Sequence, residues 1–354
     1  MDSQKQELKQ RQEENQVEEE FDDLQQVQQK KQKGVKGILH LLFIRKWHPQ
    51  PTVSTTILIF AVVGIIFIIL GIVIAIFNSK IIEVELKNYQ DEDNCTSIAD
   101  EDNYCVYEFT IPDDGNMEPP VYLFYSIDNF YQNHRRYMKS KSSDQLSGQS
   151  ISKGDAKDAC DPAVYNKDMG TVIEYFSEEN DLDLDGDDVA NPCGLIAKSY
   201  FYDEFELYEN ESMSNRITIN EKGIAWPEDV NNKFKQNEDE KDKQWIDPSN
   251  EHFIVWMRTA GLPNFRKLWG KIEDFTLKQG QKYYLKIKNL YDVDSFKGSK
   301  GVVLSTALAF GGKNSFLAAA FIIVGVICLV ITIVFLLKKN TTGGSFGEAK
   351  QKDK

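Results

Sequence analysis

Two stretches of the chain are apolar on every side of the helical repeat. Residues 57–77, from Ile57 to Phe77, and residues 316–337, from Phe316 to Leu337, hold no charged side chain. A helix of about 21 residues rises roughly 30 Å, the thickness of a bilayer's hydrocarbon core. A helix at the edge of a soluble core keeps a polar face; these two have none, so each is predicted to cross a membrane. The first starts after 56 residues and outruns a signal-peptide apolar region, so it is expected to stay as a signal-anchor. Between the spans the pattern shifts to a period of two. Ile82, Val84 and Leu86 alternate with Glu83 and Glu85; Cys105, Tyr107, Phe109 and Ile111 alternate likewise, as do Tyr283, Leu285 and Ile287. The continuous apolar-aromatic runs Val121 to Ile127 and Phe253 to Met257 are predicted to be strands, and Val302 to Leu308 is predicted to be the last strand, shortly before the second span. One helix is predicted, with Pro263 in its first turn, Phe265, Leu268 and Trp269 on its apolar side, and Gly270 ending it. Polar stretches such as 140–155 and 231–250 separate these elements. The expected fold is two transmembrane helices plus a mainly antiparallel β-sandwich-like ectodomain with long insertions.

Charge orients the spans. Lys30, Lys31, Lys33, Lys36, Arg45 and Lys46 precede the first, and Lys338 and Lys339 follow the second. Only Lys80, Lys87, Lys300 and Lys313 lie near their other ends. The positive-inside rule puts both termini in the cytosol. The chain then divides into a cytosolic N-terminal region, 1–56, rich in Gln, Glu and Lys and expected to lack a core over its first 33 residues; a first span, 57–77; a lumenal or extracellular ectodomain, 78–315; a second span, 316–337; and a cytosolic tail, 338–354. Trp47 stands where an interfacial anchor is expected. The ectodomain carries 27 basic and 44 acidic residues. That excess repels a phosphate backbone, so no nucleic-acid partner is expected. Neither span holds an ionisable residue, so no transport path through them is expected. Gly64 and Gly71 in the first span, and Ala318 and Gly325 in the second, repeat every seven residues and would let helices approach closely.

Of five cysteines, Cys328 falls inside the second span. Cys95, Cys105, Cys160 and Cys193 fall in the ectodomain, where an even number points to two disulfides. Four cysteines allow three pairings; nearness in sequence favours Cys95 with Cys105 and Cys160 with Cys193. Asn94-Cys95-Thr96 and Asn210-Glu211-Ser212 are N-glycosylation acceptors on the correct side; Asn340-Thr341-Thr342 would face the cytosol and stay bare. Asp181, Asp183, Asp185 and Gly186 copy half of a calcium loop, but Pro192 occupies the twelfth position where a Glu is required, so the run is read as a solvated acidic loop. There is no H-E-x-x-H, no G-x-S-x-G and no phosphate-binding loop. No catalytic, metal or cofactor site is expected, and the protein is not read as an enzyme.

Longer blocks of sequence carry a resemblance. They are Phe130-Tyr131-Gln132-Asn133-His134-Arg135-Arg136-Tyr137, Asn191-Pro192-Cys193-Gly194-Leu195-Ile196-Ala197, Gly223-Ile224-Ala225-Trp226, Phe253-Ile254-Val255-Trp256-Met257-Arg258-Thr259-Ala260 and Leu262-Pro263-x-Phe265-Arg266-Lys267-Leu268. Val303-Leu304-Ser305-Thr306 followed by Gly311-Gly312-Lys313-Asn314 completes the set. From Trp47 to the end of the second span the chain resembles the β-subunit family of lipid-flipping type-IV P-type ATPases, the cell-division-control-protein-50 or ligand-effect-modulator family. The resemblance implies a non-catalytic accessory subunit that forms a heterodimer with a ten-span catalytic subunit in the lipid membrane. It implies assistance in leaving the endoplasmic reticulum and support of phospholipid flipping, with residence in the endoplasmic reticulum, Golgi, endosome or plasma membrane. It also supports the pairing of Cys160 with Cys193 and fits a bridge in the Cys95–Cys105 region. Two departures stand out: Pro227 replaces a second Trp after Gly-Ile-Ala-Trp, and Ser315 replaces a Pro after Gly-Gly-Lys-Asn, where Ser is expected to cap the second span. Interfaces favour aromatic residues and Arg, which makes Tyr131, Arg135, Arg136, Trp256, Arg258 and Arg266 the candidate partner contacts. The alternative reading is an independent glycosylated receptor or adhesion protein; a membrane-anchored ectoenzyme is a third.

Overall fold

The computed structural model describes residues 52–91, 97–99, 104–307 and 312–341. Trp47, Asn94 and Cys95 lie outside the described residues. Two long helices, Val53–Ser79 and Ser315–Thr341, carry the two apolar stretches. Only 11% and 17% of their most apolar windows are buried by the protein, as suits membrane helices and not core helices of a soluble domain. Thr52 caps the first, accepting from the Thr55 N–H at 3.2 Å. Asn314 caps the second, accepting from the Leu317 N–H at 3.0 Å. Ser315 is therefore the first helical residue and not the cap; its hydroxyl accepts instead from Asn78 Nδ2 at 3.0 Å.

The chain forms two compact units. In one, Met1–Gly64 with Ile327–Lys354, Lys339 Nζ donates to Ser54 Oγ at 2.9 Å. In the other, Ile65–Val326, the helices meet at small residues. A Cβ on Gly71 would lie 2.6 Å from Ile322 Cγ1 and 3.1 Å from the Ala318 carbonyl oxygen. Phe67 and Phe321 pack edge to face there, with ring centroids 5.3 Å apart.

Among the described residues between the helices lie nine strands: β1 (Glu83–Lys87), β2 (Ser97–Ala99), β3 (Tyr104–Thr110), β4 (Val121–Asp128), β5 (Glu204–Tyr208), β6 (Arg216–Ile217), β7 (Phe265–Ile272), β8 (Lys282–Lys288) and β9 (Ser299–Thr306). They form one sheet in the order β1-β9-β4-β7 and another in the order β2-β3-β8-β5-β6. Every pairing is antiparallel. Alternation explains the inner faces: Val121, Leu123, Tyr125 and Ile127 of β4 are buried, as are Tyr283, Leu285 and Ile287 of β8. The sheets face each other through Trp269 of β7 and Phe205 of β5, whose ring centroids are 5.0 Å apart. Short helices fill the long insertion between β4 and β7, and a disulfide between Cys160 and Cys193, with Cα atoms 5.7 Å apart, staples it.

Two elements differ from expectation. Phe253 to Met257 is not a strand but most of a helix, Glu251–Met257, started by Asn250, whose side chain accepts from the His252 and Phe253 N–H groups. A helix sunk in the core on nearly all sides reads like a buried strand. Conversely, Phe265 to Gly270 is not a helix but β7. Gly270 does not stop it; the bare glycine lets Asn220 pair with Lys271 alongside, where a Cβ would collide with Ile219.

Candidate functional site

Strand direction locates the site. β1 leaves the first long helix within four residues and runs away from it; β4 runs the same way and β7 returns. Arg266 lies in register with Ser126, Gly301 and Lys87. Lys87 is eight residues beyond Ser79, about 25 Å at strand rise. Two loops meet at this far end. Phe130 N donates to the Pro263 carbonyl at 3.0 Å, Asn133 Nδ2 to the Gly261 carbonyl at 3.0 Å, and Ala260 N to Gln132 Oε1 at 2.8 Å.

Among the described residues outside the two long helices, four large apolar side chains are exposed: Tyr131 (58%), Met138 (46%), Trp226 (63%) and Leu262 (70%). Tyr131, Met138 and Leu262 lie in or next to the two loops at this end, and Trp226 lies against Arg258. Arg135 and Arg136 are exposed beside Tyr131, and Arg136 makes only a loose 3.7 Å pair with Asp161. Arg258 stacks over the Trp226 ring at 5.1 Å. Arg266 reaches across the sheet to Glu83 at 2.7 Å and Glu85 at 3.4 Å. Trp256 is different: it is wholly buried, and its Nε1 donates to the Ile196 carbonyl at 2.8 Å. Its indole is a core element with no surface to offer a partner. Trp226 and Leu262 stand in the blocks that carry the family resemblance but were not named as candidate contacts, because nothing local distinguishes an exposed large apolar side chain from a buried one.

Buried ionic groups fix this surface from beneath. Asp229 pairs with Arg258 and, at 2.7 Å, with Lys233. The Arg258 guanidinium, followed by Lys233, holds its carboxyl below the usual carboxylate range against the effect of burial. Glu251 accepts from the successive N–H groups of Gly223, Ile224 and Ala225 at 2.8–2.9 Å. Burial alone would raise its pKa; the three backbone donors outweigh it and keep the carboxylate ionised. Lys267, buried without a carboxylate partner, donates to the carbonyls of Val255 (3.1 Å), Trp256 (2.5 Å) and Arg258 (2.8 Å). Burial pushes its ammonium well below the usual lysine value. Those carbonyls end the helix Glu251–Met257, the position where a cation is favoured. Three charges thus hold an exposed Trp–Arg pair in one geometry.

The remaining sequence-derived sites are dispersed. Cys105 is disulfide-bonded on β3; Cys95, its expected partner, lies outside the described residues, as does Asn94. Asn210 sits in the β5–β6 turn, its amide donating to Ser214 Oγ at 2.9 Å and accepting from the Ser214 N–H at 3.1 Å. In the acidic run, Asp187 pairs with Lys167 at 2.6 Å and Asp188 with Lys153 at 3.6 Å.

Residues 76–343 match the LEM3 (ligand-effect modulator 3) family / CDC50 family. The chain is 36% identical over 330 residues to mouse cell cycle control protein 50A, covering 82% of this chain and 85% of the relative. It is 36% identical to ALA-interacting subunit 3 of Arabidopsis thaliana, covering 83% and 84%. It is 32% identical to the phospholipid-transporting ATPase accessory subunit CDC50 of Chaetomium thermophilum, covering 72% of this chain and 62% of that one. Two long apolar helices flank a two-sheet domain, and the family match covers that domain and the second helix: the chain belongs to the LEM3 (ligand-effect modulator 3) / CDC50 family.

Proposed function

We propose that the chain is the non-catalytic accessory (β) subunit of a phospholipid-flipping type-IV P-type ATPase. The observation that carries this is the likeness to one relative named as an interacting subunit, over 83% of this chain, and to one named as a phospholipid-transporting ATPase accessory subunit, over 72%. The rigid exposed face far from the spans supports it, because a surface of this kind has a use only when something covers it. In this reading both termini are cytosolic, with boundaries at 1–56, 57–77, 78–315, 316–337 and 338–354. The ectodomain carries the Cys95–Cys105 bridge and glycans on Asn94 and Asn210. Tyr131, Arg135, Arg136, Arg258 and Arg266 meet the catalytic subunit. The pair forms in the endoplasmic reticulum and leaves together for the Golgi, endosome or plasma membrane, and ATP hydrolysis stays with the partner.

Affinity purification of the tagged full-length protein in mild detergent, with mass spectrometry of what comes with it, tests this. A stoichiometric P-type ATPase is expected. Its absence from cells that express such ATPases, with the tagged protein folded and at the surface, would overturn the reading in favour of an independent receptor.

A further inference from the structure

The outward face of the sheet β1-β9-β4-β7 carries a polar cleft of about 440 Å³. Glu85, Lys87, Ser126, Asp128, Asn264 and Arg266 line it. Its charges are balanced and largely matched. Glu85 pairs with Lys87 at 3.3 Å and with Arg266 at 3.4 Å, and Arg266 also meets Glu83 at 2.7 Å. Asp128 accepts from the Ser299 hydroxyl at 3.3 Å. Lys300 reaches the cleft from beneath, but its ammonium is engaged with Asp203. An ion of either sign therefore meets no net opposite charge there.

Hydrogen-bonding capacity, in contrast, is left over. Guanidinium, ammonium and carboxylate groups each have more donors or acceptors than these pairs use. The Ser126 hydroxyl makes no hydrogen bond with any described residue. Gly301, opposite it on β9, keeps the floor low: a Cβ there would lie 2.9 Å from Ser126 Oγ and 2.7 Å from the Leu86 carbonyl oxygen. Along β4 the same face continues through Phe124 and Tyr122, both half-buried. Their ring centroids are 6.3 Å apart and their planes 27° from parallel. From Ser126 to Tyr122 the strand runs about 13 Å, so a polar cleft and two aromatic rings lie in one line.

We propose that this face binds a neutral oligosaccharide, with one sugar in the cleft at Ser126 and the next against Phe124 and Tyr122. A pyranose ring carries hydroxyls that each donate and accept, and a C–H face that packs on aromatic rings. Its hydroxyls can reach an open lone pair of Glu85 or Asp128 and an open N–H of Lys87 or Arg266 at once, without breaking an ion pair. A phosphate or sulfate would have to draw Lys87 or Arg266 away from Glu85. An apolar side chain would cover these polar groups and leave them unpaired, which is costly. The inference concerns this chain alone and does not rest on the accessory-subunit reading. The sugar can come from the protein's own glycans or from another glycoprotein; the chemistry of recognition is the same.

The test is titration of the full-length protein in phosphatidylcholine nanodiscs, free of glycoside detergent, before and after enzymatic removal of its own glycans. The probes are neutral N-glycans released from glycoproteins, their sialylated counterparts and glycerophosphocholine, followed by saturation-transfer NMR and calorimetry. Ser126→Leu fills the cleft, and Phe124→Ala removes the nearer ring. Lys87→Met removes a donor from a side chain that is 71% exposed, so it keeps the test decisive where a change inside the sheet disturbs folding; thermal unfolding checks each variant. The expected result is saturable binding of the neutral glycans, at least tenfold weaker in Ser126→Leu and Phe124→Ala and weaker in Lys87→Met. Binding that appears only after deglycosylation supports the site and makes one of the protein's own glycans its occupant. No saturable binding of neutral glycans by the folded wild type in either state would overturn the proposal, as would equal binding by wild type and the folded variants. Binding confined to the sialylated glycans or to glycerophosphocholine would assign the face to an anion or a lipid headgroup and equally overturn it.

Discussion

Lys300 and Asp203 are the most deeply buried ion pair among the described residues, and breaking it should unfold the domain at a markedly lower temperature. Lys300 is the second residue of β9, at the end of that strand away from the second span, while Asp203 precedes β5 in the other sheet, so the pair ties one sheet to the other. Asp203 Oδ2 accepts from Lys300 Nζ at 2.6 Å and from the Tyr89 hydroxyl at 2.6 Å. Its Oδ1 accepts from the N–H groups of Leu290 at 2.7 Å and Tyr291 at 2.6 Å. Lys300 also donates to the Tyr291 carbonyl. Lys300→Met leaves a buried carboxylate with neutral donors only, at a cost of about 3–5 kcal/mol. For a domain of this size that is a fall of about 6–20 °C in Tm. The double variant Lys300→Met/Asp203→Asn removes both charges, and the amide can still accept from Leu290 and Tyr291 and donate to Tyr89. It should cost at least about 2 kcal/mol less than the sum of the single changes. Burial pushes the Lys300 ammonium below the usual lysine value, only partly offset by Asp203. The unfolded chain then holds this proton more tightly, so this group's contribution to stability rises with pH toward about 10.4 and is lost as pH falls through the folded pKa. Lys300→Met should flatten that slope. The assay is thermal unfolding of the full-length protein in mild detergent, followed by tryptophan fluorescence. A loss under about 1 kcal/mol for Lys300→Met, or strict additivity in the double variant, would refute the reasoning.

Other consequences can be checked separately. Cys160→Ser or Cys193→Ser opens a link across 33 residues, costing about 3.7 kcal/mol in the chain-entropy model; partner-dependent export should drop in both, and normal export in both would contradict the role given to the bridge. Gly71→Leu should separate the helices where Gly71 meets Ile322, read as lost disulfide cross-linking between Phe67→Cys and Phe321→Cys. Asn210→Gln should shift gel mobility by one glycan, and no shift would leave the Asn210–Ser214 hydrogen bonds as that side chain's only role. Because Asp229 titrates below its ordinary range, the stability it contributes is present above about pH 4 and lost as pH falls through its folded value; recovery of the catalytic subunit should therefore hold steady from pH 7.5 to pH 5.

What the sequence made legible was whatever a one-dimensional period encodes. β1, β3, β4, β8 and β9 show alternation or a strand-length apolar run, and the two long helices show unbroken apolarity. Strand β7 and the helix Glu251–Met257 were read the wrong way round for two reasons: a bulge at Trp269, between Leu268 opposite Phe124 and Gly270 opposite Leu123, breaks the two-residue alternation of β7, and burial of Phe253, Ile254, Trp256 and Met257 hides the period of the helix. The Asn250 cap was a usable signal, since Asn-Glu-His-Phe is a good helix start. The docking face was half legible. Tyr131, Arg135 and Arg136 lie at the surface as their residue types suggest, but Trp256 and Trp226 have the same side chain and opposite fates, decided by packing across 60 residues to Ile196 in one case and by solvent in the other.

How the domain is attached to the two long helices follows from its first and last strands. β1 and β9 are neighbours in one sheet, with Glu83 opposite Ser305, and they are the strands that lead from the first span and toward the second. The Ile82 N–H donates to Thr306 Oγ1 at 3.0 Å and the Thr306 N–H to the Ile82 carbonyl at 3.0 Å, closing the ladder at its membrane end. Below it, Asn78 binds both the Asn314 N–H at 2.7 Å and the Ser315 hydroxyl at 3.0 Å, so the helices are locked where the strands emerge. Two antiparallel strands paired this way cannot tilt independently. Sliding by one residue would also turn Val84, Leu86, Val302 and Leu304 out of the core. The sheet β1-β9-β4-β7 is therefore fixed relative to the adjoining ends of the two long helices by main-chain hydrogen bonds and burial. A surface whose main chain is fixed in this way loses little conformational freedom when it is covered, so the ordering cost of any contact it makes is small.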